Sequence, residues 1–196
     1  MVSLESLWLP ILVSSAVVFV ASAIVWMALP LHKNDYRKLG DKEGQVMDTV
    51  RSLGLGAGMY MFPSCDPKTV KSNPAAMDRW KAGPWGVLTV LGQAPSMGKC
   101  LGLWFLNVLI ITVFVAYVAA HALPAGAEYL KVFQIVGAAA LLGHGGSILT
   151  DSIWKGRPWS QAPVALIDAL IYAGATAGVF GAMWPAASGP GLPGVG

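Results

Sequence analysis

Four polar side chains lie inside long apolar runs of this sequence: Asn107, His144, Asp168 and Tyr172. An ionisable side chain inside a membrane span costs ~2.5–3.5 kcal/mol or more, and it therefore usually faces other helices rather than lipid. An amide, an imidazole, a carboxylate and a phenol together could do three things. They could hold helix register through hydrogen bonds, pass a proton or an ion, or bind a ligand. The sequence leaves all three open.

His144 is surrounded by small residues in the stretch AAALLGHGG. Glycines leave room for a flat macrocycle, and a single histidine can be the axial ligand of a haem or related tetrapyrrole. Glycines are equally typical of closely packed membrane helices. Cys65 and Cys100 lack the spacing of a zinc site. We therefore predict no metal and no cofactor, with a tetrapyrrole on His144 as the alternative.

Two cations and two indoles are concentrated in the connector DSIWKGRPWS, residues 151–160. Lys155 and Arg157 are the type of residue that anchors a turn on the cytoplasmic side, and Trp154 and Trp159 suit the headgroup level of a bilayer. An arginine and a lysine beside indoles also suit a phosphate. The pattern predicts a topological anchor, with a lipid or anion contact as the alternative.

The composition indicates an integral membrane protein that positions these residues on helices. Hydrophobic residues make up 55% of the 196, charged residues make up 12%, and the mean hydropathy is +0.60. A bilayer core of roughly 30 Å needs ~20 helical residues to cross it. The hydropathy pattern predicts an all-α protein with four transmembrane helices, over residues 7–31, 99–123, 129–150 and 161–185.

The positions of Asn107, His144 and Asp168 predict that these three side chains converge. Asn107 lies six residues after Leu101, His144 lies six before Thr150 and Asp168 lies six after Ala162. Each is therefore ~9 Å from the end of its apolar run on the side of the long loop. The short connections between the second, third and fourth helices make them antiparallel neighbours. We therefore expect one shared polar cluster, in which His144 pairs with Asp168 and Tyr172 continues the stripe.

The basic residues predict the orientation of the chain. Of the 13 Lys and Arg residues, ten lie between His32 and Lys99, two lie in the connector, and Lys131 lies near the other face. Because Lys and Arg are retained on the cytoplasmic side, both ends of the chain are expected outside the cytoplasm.

The segment from residue 32 to 98 is predicted to form a small cytoplasmic loop domain. Residues 43–53 have the spacing of an amphipathic helix, and Asn73 followed by Pro74 is typical of the start of a second one. MYMF at 59–62 and VLTVL at 87–91 have the composition of short strands. The last residues, 186–196, are small and are predicted to be a flexible tail.

Small residues recur at helical spacing in two of the predicted spans. Such faces let helix backbones come close, either inside the bundle or against a partner or a second copy. We interpret them first as contacts inside the bundle, with a partner protein or a homo-oligomer as the alternative. The residues are Gly174, Gly178 and Ala182 in the fourth helix and Ala139, Gly143 and Ser147 in the third.

Three stretches, DKEGQVMDTVRSLGLGAGMYMFPSCD, SMGKCLGLWF and DSIWKGRPWS, occur in this order around the apolar helices. In this the chain resembles a family of uncharacterised bacterial four-helix inner-membrane proteins. The resemblance implies the architecture and an inner-membrane location, and it carries no activity. Because nucleotide, cluster and nucleophile motifs are missing, we predict a non-catalytic membrane subunit or accessory protein. An oligomeric transporter or channel using the polar cluster is the alternative, and a tetrapyrrole-binding or lipid-modifying protein is the third possibility.

Overall fold

The computed structural model describes residues 2–64 and 66–187 of the chain. The protein is mostly helical, at 70%. Four helical segments are long and apolar enough to cross a membrane, which confirms the predicted number of spans and supports a multi-pass membrane protein. These spans are Leu4–Ala28, Met97–Ala122, Tyr129–Trp154 and Trp159–Ala182.

The described residues form eight α-helices and two strands, together with short 3₁₀ and π turns. In chain order they are α1 (Trp8–Ala23), α2 (Glu43–Ser52), β1 (Gly58–Phe62), α3 (Pro67–Ser72), α4 (Pro74–Ala82), β2 (Gly86–Val90), α5 (Met97–Ala122), α6 (Tyr129–Gly145), α7 (Ile148–Trp154) and α8 (Ala162–Ala182).

The four spans form a ring of neighbours. Helix α1 packs against α5 and α8, and α6 packs against the same two helices from the other side. The end of the bundle to which residues 29–96 attach is called the loop end, and the other end, where residues 123–128 join α5 to α6, is called the short end.

The buried centre is built mainly where α6 meets α8, which share the most extensive contact of the bundle. Val132, Val136 and Ala140 of α6 and Ala177 and Phe180 of α8 are fully buried there. Each set repeats at a spacing of three or four residues, which places it on one helix face. Small residues on α8 let the two backbones approach, and the Phe180 ring fills the space near the short end.

The third span contains a break that the sequence analysis did not predict. Helix α6 ends at Gly145, and α7 continues the span from Ile148 to Trp154. The connector therefore begins at Lys155 rather than at residue 151. Helix α5 likewise begins at Met97, before the apolar run. Counted from the loop-side ends of their spans, Asn107 and His144 both lie ten residues in and Asp168 lies nine, so the three depths remain nearly equal although each is greater than the sequence indicated.

The glycines at helical spacing have different environments. A Cβ on Gly143 would lie 2.7 Å from Cγ2 of Ile111, so this glycine allows α6 to approach α5 closely. A Cβ on Gly178 would lie 3.8 Å from the Tyr129 hydroxyl, whereas one on Gly174 would meet nothing within 4 Å. Gly143 and Gly178 thus lie at contacts inside the bundle, which was the first of the two interpretations, whereas Gly174 does not.

The segment between the first two spans carries short elements where the sequence predicts them. The side chain of Asn73 accepts hydrogen bonds from the backbone of Ala75 and Ala76 at the start of α4, and Gly83 after α4 has a φ of +65°. Strands β1 and β2 pair antiparallel, with Tyr60 opposite Leu88. Helix α3 is an addition to the predicted elements.

The short end is closed by contacts between the 123–128 connection and the segment after α8. The Trp184 indole donates to the Pro124 carbonyl at 2.9 Å, and the Gly126 backbone N–H donates to the Pro185 carbonyl at 2.8 Å. Most of the predicted flexible tail, residues 188–196, lies outside the described residues.

Candidate functional site

A polar site at the loop end begins with His32, which the chain folds back under the end of the first span. After a π turn at Ile24–Ala28, the backbone of Leu29 is extended and Pro30–His32 forms one 3₁₀ turn. This reversal stacks the His32 ring on the Trp26 indole, with ring centroids 3.7 Å apart and planes within 6°. The π turn lies directly before the change of chain direction that positions the His32 imidazole.

Both nitrogens of His32 face carboxylates. Nδ1 lies 2.8 Å from Oδ2 of Asp35, three residues along the chain, and Nε2 lies 3.0 Å from Oδ2 of Asp168 on α8. The side chains of His32 and both aspartates are at most 9% exposed. An imidazole donates from both nitrogens only when it is protonated, so two ionised carboxylates require an imidazolium between them. The three side chains, which we call the aspartate clamp, fasten the start of the long loop to α8.

The aspartate clamp corrects the predicted partner of Asp168. The hydrogen-bond partner of this carboxylate is His32, from the loop, and not His144. The two residues are separated by 136 positions in the sequence. Because both ring nitrogens of His32 are engaged, the imidazole has no free lone pair with which to take a proton from a substrate.

A second polar group lies one helical turn further into the bundle. Tyr172 is 4% exposed, and the edge of the His144 ring meets it at a centroid distance of 5.5 Å. The Tyr172 hydroxyl and Nε2 of His144 are buried without a direct hydrogen bond among the described protein groups, and the Trp26 indole is the polar group that interacts with the Tyr172 hydroxyl. Trp104 lies on the other side of Tyr172 and donates to the Ser22 hydroxyl at 2.9 Å. The structure thus brings Asp168, Tyr172 and His144 together through Tyr172.

Asn107 does not belong to this site. Its side chain is exposed on the outer face of α5, whereas Val108, the next residue, is fully buried. The residue lies ten positions after Met97, the first residue of α5, which is a depth of ~15 Å along the helix. The predicted convergence of three polar residues is therefore wrong for Asn107, because the depth of a residue does not determine the direction of its side chain.

The glycines around His144 are used in helix packing. Ile111 of α5 stands against Gly143, and a Cβ on Gly145 would lie 3.4 Å from Cβ of Ala169 on α8. The space that the sequence offered to a macrocycle is taken by neighbouring helices at these two positions. Among the described residues, no group of three His, Cys, Asp or Glu side chains is arranged to hold a metal ion.

The connector residues form a chain of polar contacts beside the aspartate clamp. Lys155 pairs with Asp151 at 2.7 Å. Nε of Arg157 donates to the Gln161 side chain at 3.0 Å, and that amide donates to the Asp35 carbonyl at 2.7 Å. A cavity of about 450 Å³ opens next to these residues. Trp154 and Trp159, predicted to accompany the two cations, are 74% and 59% exposed and are not among the residues that line the cavity.

The sequence analysis missed His32, Asp35 and Trp26 as members of the site. One signal was present: the stretch LHKND places a histidine and an aspartate three residues apart directly after an apolar span. An ionisable pair at the end of a span is well placed to pair with a charged side chain on a neighbouring helix.

Comparison of the chain with protein-family models, with curated proteins and with solved structures found no match.

Proposed function

We propose that the protein is a non-catalytic membrane subunit that assembles with a second copy of itself through the outer face of α5. The observation that carries the proposal is the exposure of Asn107 deep within a span. Transfer of an amide from water to an apolar medium without a hydrogen-bond partner costs roughly 2–7 kcal/mol. A lipid-facing amide at this depth therefore favours association with another helix.

The residues around Asn107 make a continuous surface for such a contact. Leu103, Ile110 and Phe114 lie at i−4, i+3 and i+7 from Asn107, so they share its face. They are 56%, 49% and 68% exposed. We call these four residues the α5 stripe. Gln134 is also exposed in a span. It lies only five residues from Tyr129, near the short end, so its side chain can reach the membrane–water boundary.

A second copy fits the α5 stripe better than an unrelated helix because an amide is self-complementary. Asparagine carries both a donor and an acceptor, so two Asn107 side chains can pair across a two-fold axis. The engaged nitrogens of His32 agree with a role without catalysis. Under this proposal the aspartate clamp holds the loop to the bundle, and the α5 stripe forms the contact between copies.

Substitution of Asn107 with Leu is expected to weaken the dimer. One interhelical hydrogen bond in a membrane contributes about 0.6–2 kcal/mol, which corresponds to roughly a 3- to 30-fold increase in the dissociation constant. Dimer fractions measured over a dilution series in micelles would show the change. Asn107→Gln keeps both hydrogen-bonding groups and should stay close to the unchanged chain.

Cysteine cross-linking supplies the positional control for the same proposal. In a chain with both native cysteines replaced by serine, Leu103→Cys, which lies on the α5 stripe and leaves Asn107 in place, should form a disulfide dimer. Leu142→Cys, on α6 and 76% exposed, should not. Equal cross-linking at both positions, or a monomer at all concentrations, would exclude the α5 stripe as the contact.

The orientation belongs to the same proposal: the loop end faces the cytoplasm of a bacterial inner membrane. Its support is the concentration of Lys and Arg at this end. In intact cells, an impermeant maleimide should label Ala125→Cys at the short end and not Ala57→Cys in the long loop, both tested in the cysteine-free chain. Lysis should expose Ala57→Cys. The reverse pattern would invert the topology.

Ion or proton transport is a second candidate, favoured by two buried polar atoms without a direct hydrogen bond among the described residues. The aspartate clamp leads inward to Tyr172 and His144, whose hydroxyl and Nε2 are these two atoms. Unpaired polar groups next to ionisable ones are typical of a proton path. Flux across proteoliposomes that is lost in Tyr172→Phe would favour transport over the subunit role.

A further inference from the structure

We propose that the cavity between the connector and the two-stranded sheet of β1 and β2 binds a phosphate-bearing anion, with Arg157 as its principal contact. The assembly role described above does not require this site. The cavity, of about 450 Å³, is lined by the connector from Lys155 to Pro158, by Gln161 and by Asp35. Its far wall is formed by Tyr36 and by side chains of β1 and β2.

Arg157 is a half-buried cation that forms no ion pair with the residues that the structure describes. No carboxylate of the described residues lies within 4.0 Å of its guanidinium. Gln161 accepts from Nε and holds the group in place, which leaves the N–H donors on both Nη atoms for another partner. A fixed guanidinium fork with free Nη donors matches two oxygens of a phosphate.

The acidic groups near the cavity are already engaged. The Asp35 carboxylate pairs with His32, and its carbonyl accepts from Gln161. Asp151 pairs with Lys155, whose side chain is 58% exposed and lines the cavity. An anion would therefore meet Arg157, which pairs with no carboxylate of the described residues, and the exposed ammonium of Lys155, while the Asp35 carboxylate is held by His32.

The backbone of the connector brings these cations against strand β2. Gly156 has a φ of +73°, a conformation that L side chains rarely adopt, and a Cβ there would lie 3.0 Å from Cγ2 of Val87. The turn thus seats Arg157 beside β2. Trp26, exposed at the end of the first span, lies on the rim of the cavity. This position at a span end fits both a phospholipid headgroup and a soluble phosphate compound.

The test measures anion binding to the full chain in detergent, with three separate probes. These are dihexanoyl phosphatidylglycerol, dihexanoyl phosphatidylcholine and inorganic phosphate, each titrated by calorimetry. Arg157→Gln should weaken binding of the anionic probe roughly tenfold or more. Arg157→Lys should also lose much of the affinity, because an ammonium lacks the two parallel N–H donors of a guanidinium. If Arg157 served only as a topological anchor, its replacement by lysine would have no effect. Lys131→Gln, at the short end, is the control for loss of one charge.

Each outcome decides the proposal. Binding of phosphatidylglycerol alone, lost in Arg157→Gln, identifies a lipid headgroup site. Binding of inorganic phosphate that competes with the lipid identifies a site for soluble phosphates. Equal binding by the unchanged chain, Arg157→Gln and Lys131→Gln, or no binding of either anionic probe, overturns the proposal. Matching melting temperatures of the variants would exclude unfolding as the cause of a loss.

Discussion

With His32 protonated between its two carboxylates, Asp168→Leu is expected to destabilise the bundle by about 3–5 kcal/mol, because removal of one partner from a buried ion pair leaves the other charge uncompensated. The partner is His32, whose Nε2 lies 3.0 Å from Oδ2 of Asp168. Asp168→Asn keeps an acceptor for this nitrogen and should cost about 1–2 kcal/mol. The free energy of unfolding, measured by SDS titration in mixed micelles, would report both values.

A double-mutant cycle identifies the partner of Asp168 independently of the stability of either variant. His32→Ala and Asp168→Leu should couple by about 1–3 kcal/mol, because the two side chains share a direct hydrogen bond. His144 and Asp168 should couple less, because Tyr172 stands between their groups. Stronger coupling of Asp168 to His144 than to His32 would contradict the aspartate clamp.

Phe180→Ala is expected to cost about 3–5 kcal/mol, the range for loss of a buried aromatic side chain. Phe180 is fully buried and is the largest fully buried side chain of the described residues. Because lipid tails are as apolar as the bundle interior, the loss comes from van der Waals contacts between α6 and α8. The same SDS titration measures it.

Leu170→Ala on the same helix is the matched control for Phe180→Ala. Leu170 is 52% exposed, so its removal should change the unfolding free energy by less than about 0.5 kcal/mol. A similar cost at both positions would mean that α8 does not use its Phe180 face to pack against α6.

The positions of most helices and strands could be predicted from the sequence because the signals for them are local. Hydropathy over ~20 residues marks a span whatever surrounds it. The same is true of α4, where Asn73 and Pro74 start the helix and Gly83 ends it. The helix ends on the loop side were predicted less well, since α5 and α7 extend beyond their apolar residues. Continued backbone hydrogen bonding, rather than hydropathy, sets those ends.

The members of the candidate site were predictable only in part. Asp168 and Tyr172 are both buried on α8, and their spacing of four residues places them on one face. Asn107 was expected to join them and instead lies on the outer face of α5. In a span whose apolar residues are spread almost evenly around the helix, the sequence does not reveal which face turns inward. Lipid and the interior of the bundle accept the same apolar side chains.

The sequence by itself thus determined four apolar spans, the short loop elements and the asymmetric distribution of basic residues, since each depends on neighbours along the chain. Only the tertiary structure decided that His32 pairs with Asp168, at a separation of 136 residues. It also decided that Asn107 faces outward and that Arg157 lines a cavity without an ion pair to any described carboxylate. These outcomes depend on how α1, α5, α6 and α8 rotate against one another and on where the chain folds back after Ala28. Packing between distant segments sets both, and no local pattern encodes it.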